Sequence, residues 1–132
     1  MAREELGHFE LALRELRRRD LPFVRLEPSR YAAELTKGVR RKVEEEAMLD
    51  ALVVAALIEE RSHERISLLA EAVPDVSLAT FYRGLLPAEE RHAGLMLEIA
   101  GRFGDPLERL GRFAAVEAEL ITAGEAVVRM HG

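Results

Sequence analysis

The sequence predicts an all-α bundle of amphipathic helices, and three features predict it. Of the 132 residues, 48% are apolar and 33% charged, with 5% aromatic and no Trp, a balance that suits helices burying one face better than sheets. Apolar residues recur at steps of three and four over long segments. Those segments are bounded by Pro, Gly, Asp and Ser, the residue types that start and stop helices. The length is most simply one domain, 1–132, with a substantial core. There is no Cys, which excludes a disulfide framework, a thiolate metal site and a cysteine nucleophile. The N-terminus is charged at Arg3, Glu4 and Glu5 and carries no long apolar run, so neither a signal peptide nor a membrane span is expected, and the protein is expected to be cytoplasmic.

The first helix is predicted over residues 2–19. The segment DLPFVRLEPS contains Pro22 and Pro28 and reads as an extended connection, after which Ser29 can cap a short helix from Arg30 to Glu44. A long central helix follows from Glu46 to Ala72, stopped by Pro74-Asp75. Its middle, ALVVAALI, is apolar all round, so it should be the most enclosed helix. Ser77 is a plausible cap for the fourth helix, which is expected to run to Phe103 before Gly104 ends it. Pro87 lies inside that segment. The apolar spacing Leu78, Phe81, Tyr82, Leu85 persists through it, which favours a continuous helix kinked at Pro87 over a helix that begins there. Asp105 caps the last helix, with Pro106 at its first position and Leu107, Leu110, Phe113, Ala114, Glu117, Leu120 and Ile121 on its buried side.

Within the fourth helix, Leu85, Glu89, His92, Met96, Ile99 and Phe103 fall on one face. An ionised carboxylate on a buried face costs several kcal/mol unless its charge is compensated, and a metal ion held jointly by Glu89 and His92 would compensate it. Alone, Glu-x-x-His is a weak signal, because the pair often occurs by chance. Repetition strengthens it. Glu5-x-x-His8 sits on a second stripe with Phe9, Ala12, Leu13 and Leu16, and Glu59 stands on a third with Leu52, Ala55, Ala56, His63, Ile66 and Ala70. Carboxylate-bridged di-iron and di-manganese bundles use one Glu from each of two helices and a Glu-x-x-His pair from each of the other two. One bare-Glu helix is unaccounted for. Glu59 and Glu89 are about thirty residues apart, and a pseudo-twofold repeat of that spacing places the missing carboxylate ahead of Met1. The chain therefore reads as a four-helix metal bundle without its first helix. Glu60-x-x-His63 is a third match, leaving His63 open as a ligand, as support for a ligand or as a core histidine, with Glu60 on the flank.

At these residues the chain resembles a bacterial family of di-iron tRNA-modifying enzymes, the 2-methylthio-isopentenyladenosine tRNA hydroxylases. The resemblance is carried by REELGHF at Arg3–Phe9, ALIEERSHERISLLAE at Ala56–Glu71, FYRGLLPAEERH at Phe81–His92 and the tail VVRMHG. It implies a ferritin-like four-helix bundle, here with its first bundle helix missing, plus a short connecting helix and a C-terminal helix. By the resemblance, Glu5, His8, Glu59, Glu89 and His92 fall on the iron ligands and two iron ions are expected, one position being incomplete. The chain departs from the family pattern in the missing helix, in His63 where Cys is usual, and in Pro87 where a small helix former is usual. The implied activity is hydroxylation of the isopentenyl group of a hypermodified adenosine beside the tRNA anticodon, using dioxygen and an external electron donor.

A net charge of -5 argues against a protein basic all over but leaves room for local patches. Arg14, Arg17, Arg18 and Arg19 form one, and Lys37, Arg40, Arg41 and Lys42 another. Each reads either as a solvated helix end or as a phosphate-binding surface for an anticodon loop, with Tyr31 and Phe23 as stacking residues. Two other readings share the same ligands: a ferritin-like metal-binding protein with no tRNA role, and an inert bundle whose carboxylates pair with Arg61 or Arg91. Three apolar stripes around one centre leave an open side, so a homodimer or larger assembly is expected to cover it.

Overall fold

The computed structural model describes residues 1–25, 27 and 30–123. Among them are five helices, α1 (Ala2–Arg18), α2 (Arg30–Lys37), α3 (Glu44–Ala72), α4 (Val76–Ala100) and α5 (Pro106–Ala123), and no strand. None of these helices is long and apolar enough to cross a membrane. The expected cap at Ser29 and the tail VVRMHG lie outside the described residues.

α3 and α4, of 29 and 25 residues, form the spine. A connection of only Val73–Asp75 forces them to run antiparallel and to pack along their length. α3 is the most enclosed helix, burying Leu49, Asp50, Val53, Val54, Ala56, Leu57, Ser62, Ile66 and Ala70. The N-cap of α4 is Asp75 rather than Ser77: the Leu78 N–H donates to the Asp75 carboxylate at 2.9 Å, the satisfied cap geometry. Ser77 instead accepts from the Arg18 guanidinium. α4 runs through Pro87 as one continuous helix. It ends at Ala100, short of the expected Phe103, because the chain turns at residues 101–103 before Gly104 adopts φ 154°. A side chain at Gly104 would also come within 2.9 Å of Leu49.

The apolar core gathers Tyr31 and Leu35 of α2, Leu49, Val53, Val54 and Leu57 of α3, Ala100 at the end of α4, and Phe113 of α5. α2 and α5 thus close over the first half of α3. α2 stops at Lys37, well before the expected Glu44, for two reasons. Gly38 passes so close to Phe113 that a Cβ there would sit 2.9 Å from the ring. Beyond it, the Arg40 N–H bonds the Asp50 carboxylate at 2.9 Å instead of a helical carbonyl.

Asp50 is fully buried and is held by guanidinium groups from both sides, Arg40 at 2.9 and 3.0 Å and Arg109 at 2.6 and 2.8 Å. Burial alone would push its pKa up, but the Arg40 and Arg109 hydrogen bonds outweigh that and hold it at about 2. A second buried carboxylate, Glu117, accepts from Arg61 at 3.1 and 3.2 Å and from the Tyr31 hydroxyl. These two networks fasten α2 and α5 to α3.

α1 is attached differently. No residue of it is buried, so the inward stripe expected there is only half covered: Ala12, Leu13 and Leu16 are partly buried while Phe9 is 47% exposed. Arg19 donates to Asp75 at 2.8 Å at one end of α1, and Glu4 meets Arg91 at 2.6 Å at the other. α1 therefore runs antiparallel to α4, with an open groove between them.

Candidate metal centre

Three helices bring their carboxylates to one place. α4 contributes Glu89 and His92, 7% and 2% exposed, one turn apart on its buried face. α3 contributes Glu59 just past its apolar middle, and α1 contributes Glu5 and His8. Two sets of ligand atoms result, Glu5–His8–Glu89 and Glu59–Glu89–His92, in each of which all atoms lie within 4.8 Å of one another. Glu89 belongs to both. All five residues singled out from the sequence are in these sets, whereas Glu60 is exposed and the partly buried His63 is in neither.

His8 Nδ1 stands 3.8 Å from Glu89 and 3.7 Å from Glu5. His92 Nδ1 stands 2.9 Å from Glu5 and 3.9 Å from Glu59, and the two imidazole centroids are 6.4 Å apart. Burial, then the charges of Glu89 and Glu5, raise the pKa of Glu59 to about 7, with His92 pulling the other way. Such a group of carboxylates wants a cation. His92 fits that need: its Nδ1 is buried without a hydrogen-bond partner, since the nearby Glu5 oxygen lacks the geometry to make one.

His92 is oriented through its other nitrogen. His92 Nε2 is 3.0 Å from Glu4 Oε2. Hydrogen bonds from His92 and Arg91 hold the Glu4 carboxyl at about 2, so Glu4 is an ionised acceptor and Nε2 must carry the proton. Nδ1 is then the nitrogen left facing the carboxylates and, in the neutral ring, the one that offers a lone pair to a metal. The donor set of five Glu and His side chains around that lone pair fits a hard or borderline divalent ion such as iron. Sequence reading missed Glu4. Its neighbour Glu5 matched the ligand spacing, but the partnership of Glu4 with His92 crosses two helices and has no local signature.

An apolar groove of about 580 Å³ opens beside the centre, bounded at one end by Glu5 and His8 and walled by Phe9 and Leu16 of α1 and Phe81 and Leu85 of α4. One expectation about nucleic-acid contact is corrected. Tyr31 is 3% exposed, with its hydroxyl spent on Glu117, and is no stacking platform. Half of the two basic clusters is spent on ion pairs, Arg18, Arg19, Lys37 and Arg40 meeting Glu15, Asp75, Glu34 and Asp50. Phe23 remains exposed, edge-on to Phe9 at 5.8 Å.

The sequence model of the family described as tRNA-(MS[2]IO[6]A)-hydroxylase (MiaE) matches residues 1–132. The tRNA 2-(methylsulfanyl)-N(6)-isopentenyladenosine(37) hydroxylase of Pseudomonas putida is 39% identical over 135 residues, covering 99% of this chain and 64% of the relative. The enzyme of the same name from Salmonella typhimurium is 37% identical over 133 residues, covering 99% of this chain and 48% of the relative. The chain thus spans between about half and two thirds of the length of these relatives. A solved structure described as Protein 43 with aldehyde deformylating oxygenase activity from Synechococcus is similar over 99% of this chain and 68% of its own, with a TM-score of 0.87 and 40% identity.

Proposed function

From the premise that this chain belongs to the MiaE family of tRNA hydroxylases, we propose that it acts as a non-haem di-iron, dioxygen-dependent hydroxylase on the isopentenyl group of a hypermodified adenosine in tRNA. The observation that carries this reading is the shared Glu89, which joins two sets of Glu and His donors around the bare Nδ1 of His92. Glu5, His8, Glu59, Glu89 and His92 are the residues that would hold two iron ions. When bound, the ions supply the reduction of dioxygen, with electrons from an external donor, and the oxidising power that an unactivated carbon requires.

The chain's own residues do the positioning. Glu4 fixes the His92 ring by accepting a hydrogen bond from its Nε2–H. Glu59, its pKa raised to about 7 by burial and by Glu89 and Glu5, would give its proton to solvent on holding a metal ion. Phe9, Phe81 and Leu85 line the groove beside Glu5 and His8, suited to a branched apolar side chain. Arg14 and Arg17, exposed and outside the ion pairs made by Arg18 and Arg19, are the phosphate contacts of the α1 cluster. A cytoplasmic location goes with a tRNA substrate. Exposed Leu6, Phe9 and Leu11 on α1 go with a homodimer or larger assembly, and a monomer in light scattering at micromolar protein would overturn that part.

The test is to load the protein anaerobically with ferrous iron, add a reductant and tRNA carrying the methylthio-isopentenyl nucleoside, admit dioxygen and digest the tRNA for mass spectrometry. The expected product is the nucleoside heavier by one oxygen atom. Bound iron with unchanged nucleoside would favour a ferritin-like metal-binding protein. Absence of bound iron would leave an inert bundle.

A further inference from the structure

The two ligand sets are not equivalent, and three observations rank them in the same order. Burial is the first. In Glu59–Glu89–His92 the side chains are 20%, 10% and 2% exposed, whereas in Glu5–His8–Glu89 Glu5 is 48% and His8 20% exposed. Support is the second. Glu59, Glu89 and His92 stand on α3 and α4, which are packed along their length, whereas Glu5 and His8 stand on α1, which buries no residue. Orientation is the third. The Nε2 of His92 is tied to Glu4, while among the described residues His8 has no hydrogen bond that would fix its ring. Glu5 adds to the imbalance, since its Oε1 is 2.9 Å from His92 Nδ1 and 3.7 Å from His8 Nδ1.

A ligand set held ready costs little ordering on binding, and an outer partner that orients a histidine is worth about 10–100-fold in metal affinity. We propose that the centre fills in order: one divalent ion binds first and tightly at Glu59–Glu89–His92, with Glu5 leaning towards it, and a second binds more weakly at Glu5–His8–Glu89. The second ion is also the clasp of the fold. It joins His8 of α1 to Glu89 of α4, where α1 otherwise holds to the bundle through exposed ion pairs near its two ends, the Glu4–His92 hydrogen bond and a half-covered apolar stripe. Filling the second position therefore orders α1. This inference rests on the di-metal reading of the site and divides its two positions.

The experiment is a titration of the metal-free 132-residue chain with manganous ion, followed by calorimetry, by electron paramagnetic resonance and by amide hydrogen exchange of residues 2–18. The expected result is two classes of site differing by about tenfold or more, with an uncoupled single-ion signal at one equivalent. Protection of α1 is expected to rise mainly as the second equivalent binds, at and beyond His8. His8→Ala should keep the tight ion and lose the second, His92→Ala should lose the tight class, and Glu4→Ala should weaken the tight class by about tenfold. Two indistinguishable sites, or protection of α1 complete at one equivalent, would overturn the ordered filling while leaving the di-metal reading standing. Failure to bind any manganous ion would overturn both. The titration of the unaltered protein decides the matter even if a variant fails to fold.

Discussion

Glu59 offers the sharpest test of the site as a concentration of negative charge, because its effect on stability has an unusual sign. In the metal-free protein burial and the charges of Glu89 and Glu5 raise its pKa from 4.5 to about 7. Between those values the folded chain binds more protons than the unfolded chain, so the contribution of Glu59 is present at low pH and lost as pH rises through about 7. The full difference is about 3 kcal/mol, of which about 2 kcal/mol falls between about pH 5.5 and about pH 8 by the linkage relation. Urea unfolding in chelator at those two pH values measures it, and Glu59→Gln, which mimics the protonated group, is the control. Unaltered protein should lose about 2 kcal/mol more than the variant over this interval. Parallel pH dependence in the two proteins would refute the crowding of Glu59 by Glu89 and Glu5. Adding a divalent ion should reverse the trend, since the ion binds the deprotonated ligands and its stabilisation grows with pH.

Asp50→Ala should destabilise the fold by about 3–5 kcal/mol in chemical denaturation, because it strands the Arg40 and Arg109 guanidinium groups without a counter-charge. Metal content should be unchanged, as Asp50 lies about 13 Å along α3 from Glu59. Tyr31→Phe should cost only about 1–2 kcal/mol by the same assay, since Glu117 keeps both bonds from Arg61. Elemental analysis after reconstitution should find Glu60→Ala fully loaded and Glu89→Ala deprived of both ions, because Glu89 alone belongs to both ligand sets. Equal loss in these two variants would contradict the ligand assignment.

Much of this protein is legible in the sequence because its information is periodic and local. A helix turns 3.6 residues at a time whatever surrounds it, so the spacing of Glu5 and His8, or of Glu89 and His92, places each pair on one face before any tertiary contact is known. The same holds for the apolar run that makes α3 the enclosed helix and for Asp105 and Pro106 at the start of α5. Prediction erred where a local choice met a distant neighbour. α2 ends early because Gly38 passes against Phe113 and Arg40 turns to Asp50. Asp75, drawn by Arg19, takes the cap expected of Ser77.

Only the tertiary structure decided which charges are spent and which are free. Arg40 looked like part of a basic surface and Tyr31 like a stacking residue, yet each completes a buried carboxylate, Asp50 in one case and Glu117 in the other. Glu4 carries no signal in the sequence, although it sets the tautomer of His92 across 88 residues. Such pairings depend on how helices far apart in the chain are packed, and a buried charge takes whichever partner that packing brings within hydrogen-bond reach. Helix faces follow from the residues themselves, whereas the inequality of the two ligand sets arises from the close packing of α3 against α4 and the open seat of α1.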